Sequence, residues 1–155
     1  MSKTLEQLKR HEGFRKRVYK CAAGRNTIAF GYNLDANSLK LPRARIAEML
    51  TQGVTEQEAE GLLMQCVEQA TAELTHRLSW FERLNEARRA VLINMAFNLG
   101  IGGLMAFKGT LHAVSVFDFD MAAKGMLASR WASQVHGRAN ELALQMKTGE
   151  FANGA

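Results

Sequence analysis

Apolar residues recur at helical spacing through most of the chain. Strand-like character is confined to one stretch near the front. Leu5 and Leu8 share a face of a short first helix that Ser2 or Thr4 can cap and that ends at about Glu12–Gly13, glycine being a common helix stop. Val18-Tyr19 and Thr27 to Tyr32 are β-branched and aromatic, with Ala23-Gly24-Arg25-Asn26 between them. This predicts a small hairpin. Leu39 to Leu50, around Pro42, reads as a short helix. Thr55-Glu56-Gln57-Glu58 is a capping box, in which the Thr hydroxyl serves the amide three residues on and Glu58 reaches back. Behind it Ala59, Leu62, Leu63, Cys66 and Ala70 keep 3–4 spacing, which predicts a helix of about twenty residues. Cys66 falls on the apolar face and reads as a buried thiol.

Glu86 to Leu99 is apolar almost all round, the mark of a helix at the centre of a core. It should stop at Gly100, with Gly102-Gly103 extending the break. Further helices are expected near Thr110–Phe117, Asp120–Ala128 and Gly137–Thr148, and Asn153-Gly154-Ala155 is expected to fray. The fold class is α+β, predominantly helical, with one small sheet.

Composition narrows the function classes. At 155 residues the chain amounts to one domain, with room for two small lobes. Lys and Arg outnumber Asp and Glu by 20 to 15, and the net +5 favours a polyanionic partner: nucleic acid, an anionic membrane or an anionic wall polymer. Two cysteines are too few for a disulfide scaffold and are expected as free thiols. The charged N-terminus, MSKTLEQLKRHEG, lacks the apolar core of a signal peptide, and no stretch is long and apolar enough to span a bilayer. The expectation is a soluble chain made in the cytoplasm, with no stable membrane insertion. His11, His76, His112 and His136 are scattered, so no metal site and no cofactor are expected. Phosphate-loop, dinucleotide and nucleophile-elbow motifs are absent.

One place suggests chemistry. Glu12 stands at a helix C-terminus, where the helix dipole disfavours ionisation, as a general acid requires. Alone, a surface Glu is the plainer reading. The run that follows is Glu12-Gly13-(x5)-Tyr19-(x1)-Cys21-(x2)-Gly24-(x2)-Thr27-Ile28-(x2)-Gly31. It resembles the active-site signature of the phage-type lysozymes, glycoside hydrolase family twenty-four. That pattern has a Glu closing the first helix, an acidic or polar residue nine positions on, and a Thr in the hairpin. Thr55-x-x-Glu58-Ala59-Glu60 looks like that family's interlobe helix. Ala87 to Gly100 looks like its core helix, and Ser129-Arg130-Trp131-(x2)-Gln134-(x3)-Arg138-Ala139 like its C-terminal segment.

The resemblance implies a lysozyme-like two-lobed fold around a sugar-binding cleft. The small β-containing lobe would span about 13–54, the connecting helix about 55–75, and the helical lobe about 76–155 plus 1–12. It implies a muramidase that cleaves the β-1,4 bond between N-acetylmuramic acid and N-acetylglucosamine and lyses a host as an endolysin. Glu12 matches the catalytic acid, and Thr27 the hairpin Thr that positions water or shapes the floor of the sugar site. Arg138 matches an orienting Arg beside the acid, and Phe97 and Thr110 match cleft-lining positions. Peptidoglycan glycan strands are the implied partner of a monomeric enzyme. It would wait in the host cytoplasm until a separate holin gives access to the periplasm and wall.

Three departures stand out. Cys21 replaces the Asp of the best-known members. An ordinary thiol is mostly neutral at pH 7, so Cys21 could be base, nucleophile or bystander, and Lys20 and Arg25 are the cations that would favour its thiolate. Ala29 and Tyr32 occupy positions where Gly and His are frequent. Ala29 suggests a strand conformation with negative φ, and Tyr32 removes an imidazole. The segment Asp35–Gly53 is shorter than in the longest members. Competing readings are a catalytically impaired peptidoglycan-binding protein, a lytic transglycosylase that closes a 1,6-anhydro ring, and a nucleic-acid binder. Against the last, the basic residues form no dense run, so no nucleic-acid partner is expected.

Overall fold

The structure, a computed structural model, describes residues 2–151, without the side chain of Ser2. The tail Asn153-Gly154-Ala155 therefore lies outside the described residues, as does any cap from the Ser2 hydroxyl. The order is α1 (Ser2–Glu12), β1 (Arg15–Lys20), β2 (Asn26–Ala29), β3 (Tyr32–Asn33), α2 (Arg43–Gln52) and α3 (Glu56–Arg77). A 3-10 turn (Phe81–Arg83) follows, then α4 (Glu86–Met105), α5 (Lys108–Ser115), α6 (Phe119–Leu127), α7 (Arg130–Val135) and α8 (Gly137–Thr148). This is an α+β, mainly helical chain of the lysozyme-like type. The described residues fall into two compact units: Leu5–Gln69, and the residues on either side of it, up to Thr4 and from Ala70 on.

In the first unit, α1 buries Leu5 and Leu8 and closes with Gly13, whose amide donates to the Lys9 carbonyl (2.9 Å) at φ 72°. Thr4 lies inside α1, buried, and does not cap it, because the helix already begins at Ser2. The sheet is antiparallel, in the order β1-β2-β3. Arg15 pairs with Ala29 and Tyr19 with Thr27, so four steps along β1 face only two along β2 and the extra residues bulge. The bulge holds the end of α2. The Lys16 carbonyl accepts from the Val54 amide (3.0 Å), and Arg17 Nη1 donates to the Thr51 carbonyl (2.8 Å).

The expected hairpin is a three-stranded meander instead. The Thr27–Tyr32 run turns at Phe30-Gly31, and Ile28 pairs with Tyr32. Helix α2 starts at Arg43, not near Leu39, because Pro42 takes extended ψ (152°) at its N-cap and a proline pushes the residue before it out of the helical region. The capping box of α3 forms as expected: Glu58 N donates to Thr55 Oγ1 (3.0 Å) and Thr55 N to Glu58 Oε1 (2.9 Å).

The second unit packs α4 to α8 around the buried α4 face from Ala90 to Ala96. Helix α4 breaks at Gly100 (φ 76°, ψ 162°), as expected, but Gly102 and Gly103 do not extend the break; the chain is helical again to Met105. Arg88 and Asn85 tie α4 to the end of α8. Arg88 Nε and Nη2 donate to the carbonyls of Met146 (2.8 Å) and Lys147 (2.9 Å), and Asn85 Nδ2 to that of Gly149 (2.9 Å). After α5, the Phe117 and Asp118 amides donate to Val114 and Ala113, a Schellman closure with Phe117 at φ 60° where glycine is usual. Among the described residues no single helix is long and apolar enough to cross a membrane. Helices α4 and α5 pass such a test only as a pair bent by 101°.

Candidate active site

Glu12 is the last residue of α1, half-buried, and its carboxylate lies against the turn after β2. A Cβ placed on Gly31 would sit 2.5 Å from Glu12 Oε1 and 3.2 Å from its Cδ. The turn is anchored beside it: Phe30 is buried, its ring 5.5 Å from that of Phe14 and 5.7 Å from Lys9 Nζ. Lys9 is itself held by Glu60 (2.8 Å), a hydrogen bond that raises the affinity of its amine for a proton.

Cys21 leaves β1 into a tight turn. Its amide donates to the Arg25 carbonyl (3.0 Å), its carbonyl accepts from the Gly24 amide (2.8 Å), and Gly24 takes φ 79°. The sulfur is a free thiol, half-exposed. Hydrogen bonds from the Arg25 backbone first, then from the Ala23 backbone and the Thr27 hydroxyl, hold it below the ordinary thiol value. Thr27 is buried on β2, and its Oγ1 lies 2.9 Å from the Arg25 carbonyl. Its single proton serves either that carbonyl or the Cys21 sulfur. Cys66, on α3, is also a free thiol, and burial pushes it up to about 11.

Ala29 does not take the negative φ expected of it. It adopts φ 62°, buried, one pair before the turn, which is a physical reason for glycine to be frequent there. Tyr32 does more than remove an imidazole. Its buried hydroxyl donates to Asn37 Oδ1 (2.7 Å) and accepts from the Leu39 amide (3.2 Å), while burial raises its pKa. Asn37 also accepts from the Leu41 amide (3.0 Å), so the pair shapes the loop ahead of α2. Asp35 clamps the other end of the sheet, accepting from Asn26 N (2.9 Å) and Nδ2 (3.0 Å). None of these pairings carried a periodic signal in the sequence.

The remaining expected site residues belong to the second unit. Arg138, on α8, donates through Nε to buried Asn94 Oδ1 (2.9 Å). Phe97 is half-buried on α4. Thr110 is buried on α5, its Oγ1 2.5 Å from where a Cβ on Gly125 of α6 would stand. Among the described residues no cluster of three or more His, Cys, Asp or Glu could hold a metal ion.

A small antiparallel sheet with a helical remainder is the build of a lysozyme-type fold, and the family match makes the chain a glycoside hydrolase. The chain belongs to the phage lysozyme family, whose sequence pattern matches residues 9–146. It is 26% identical to a probable T4-type lysozyme of Dictyostelium discoideum, over 96% of each chain. It is 26% identical to an endolysin of Acyrthosiphon pisum secondary endosymbiont phage 1, over 90% of this chain and 85% of the relative. It is 28% identical to the pre-baseplate central spike protein Gp5 of Enterobacteria phage T4 over 94% of this chain, which spans only 28% of that protein.

Proposed function

We propose that this chain is a muramidase of endolysin type. It hydrolyses the β-1,4 bond between N-acetylmuramic acid and N-acetylglucosamine in peptidoglycan and so lyses a bacterial host. The observation that carries the reading is that Glu12, Cys21 and Thr27 all lie in one compact unit and inside the span matched by the lysozyme family. Glu12, as the acid, gives its proton to the glycosidic oxygen as the bond to the anomeric carbon breaks. A water attacks that carbon from the opposite face, with Thr27 holding it and Cys21, as thiolate, taking its proton. The turn amides that favour the thiolate support Cys21 as this base. Arg138 orients the acid, and Phe97 and Thr110 contribute to the saccharide surface. The enzyme works as a monomer without a cofactor, and a separate holin permeabilises the membrane and so gives it access from host cytoplasm to wall, with no direct contact between the two.

The deciding assay is turbidity loss of outer-membrane-permeabilised cells. Glu12→Gln should abolish clearance while its circular dichroism spectrum stays that of the parent; a variant that clears at the parent rate removes Glu12 from the mechanism. Cys21→Asp should keep or raise activity, and Cys21→Ala should lose most of it. Mass spectrometry of the products separates hydrolysis from 1,6-anhydro ring closure by one water, and products short of that water would replace the hydrolase reading with a transglycosylase.

A further inference from the structure

Gly31 occupies a demanding position. It sits at φ 76°, where side chains are disfavoured, and a Cβ there would stand 2.5 Å from Glu12 Oε1. Gly24 has nearly the same φ (79°) yet has nothing within 4 Å of its would-be Cβ, so crowding is not a general property of turns in this sheet. The turn that carries Gly31 is also fixed. Phe30, next to it, is buried between the Phe14 ring and the Lys9 ammonium, and Lys9 is tethered to Glu60. The turn therefore cannot retreat easily from the carboxylate, so a side chain at position 31 would displace Glu12 instead.

We propose that Gly31 is a positioning residue for Glu12: its missing side chain forms the seat that sets where the carboxylate stands against the scissile oxygen. This rests on the reading of Glu12 as the acid. Misplacing a reacting group by about 1 Å costs on the order of 100-fold in rate.

The test uses the full chain and purified peptidoglycan, with reducing ends followed against substrate concentration. Gly31→Ala should lower kcat about 100-fold with KM little changed. Because alanine at φ 76° also weakens the fold, a second variant separates the two effects. Ala29, the last residue of β2 before that turn, is in the left-handed region at φ 62°, so Ala29→Gly relieves strain without adding an atom near Glu12. The double variant Ala29→Gly/Gly31→Ala should regain melting temperature and remain slow. The proposal is overturned if Gly31→Ala keeps the parent kcat, or if kcat returns together with melting temperature in the double variant. A Glu12→Gln variant as fast as the parent is a different failure, that of the muramidase mechanism itself.

Discussion

Replacing Arg88 with methionine keeps most of the side-chain stem and removes the guanidinium that ties the start of α4 to the end of α8. Two hydrogen bonds to carbonyl oxygens are lost, at 2.8 and 2.9 Å. From a charged, half-exposed donor they contribute about 1.5 kcal/mol each. Stacking on Phe119, with the guanidinium carbon 3.5 Å from the ring centroid, adds about 1 kcal/mol. Against this, burial opposes the charge, lowering the Arg88 pKa, and relief of that desolvation returns about 1 kcal/mol. The net expectation is a loss of about 3 kcal/mol, or roughly 6–12 °C in melting temperature for a chain of this size. Thermal and urea unfolding followed by circular dichroism measure it. Hydrogen exchange should show the last turn of α8 opening first, while the buried middle of α4 stays protected. A melting temperature within about 2 °C of the parent would refute the reasoning, because the carbonyls would then be equally well served by water. Gly149→Ala attacks the same joint from the other side: its Cβ would lie 2.9 Å from the Arg88 guanidinium, at φ 74°. Its loss and that of Arg88→Met should combine to less than the sum of the two separate losses, since only the backbone strain at φ 74° persists once the guanidinium is gone.

Iodoacetamide should label Cys21 well before Cys66, with the Cys21 rate rising at a pH below that of an ordinary thiol. Cys66, part-buried and pushed up to about 11 by burial, should label far more slowly at neutral pH; equal labelling in mass spectrometry would contradict both environments. Asp35 and Glu58 are held below the usual carboxylate range by hydrogen bonds, from the Asn26 backbone and side chain and from the Thr55 backbone and hydroxyl respectively. The unfolded chain therefore takes up protons first on acidification. Their contribution is complete above about pH 4–5 and fades as pH falls through the folded values. Asp35→Asn should flatten the acid side of the stability curve in urea titrations, and an unchanged slope would count against it. NMR of the first-formed anomer should show the α product expected of inversion, with water placed between two separated groups; a β product would instead make Cys21 a nucleophile.

Periodicity and caps were enough to locate the long elements. The capping box at Thr55, the apolar helix from Glu86 and the limits of α8 each express a local rule that tertiary structure did not override. The misses have local causes too. The 3-10 turn at Phe81–Arg83 and the six-residue α7 are too short to show a period. The restart of α4 after Gly100 depends on tertiary packing that outweighs glycine's low propensity. The candidate site was legible as a spacing of Glu12, Cys21 and Thr27, because a family pattern is written in residue types. The seat at Gly31, the left-handed Ala29 and the turn amides beside Cys21 were not, since backbone direction is not a property of a residue's name.

The Asn94–Arg138 bond has a consequence for how many ways the helical unit can pack. A helix as uniformly apolar as α4 offers its neighbours several faces of similar greasiness, and methyl groups alone discriminate weakly between one rotation of the cylinder and the next. Asn94 is fully buried on that helix, with its amide oxygen bonded to the Arg138 guanidinium of α8. Turn α4 by one residue, about 100°, and that oxygen points away from the Arg138 guanidinium and loses its bond. A single amide thus acts as a key in a slot. Its contribution lies less in how tightly the helices hold than in there being one orientation in which they can.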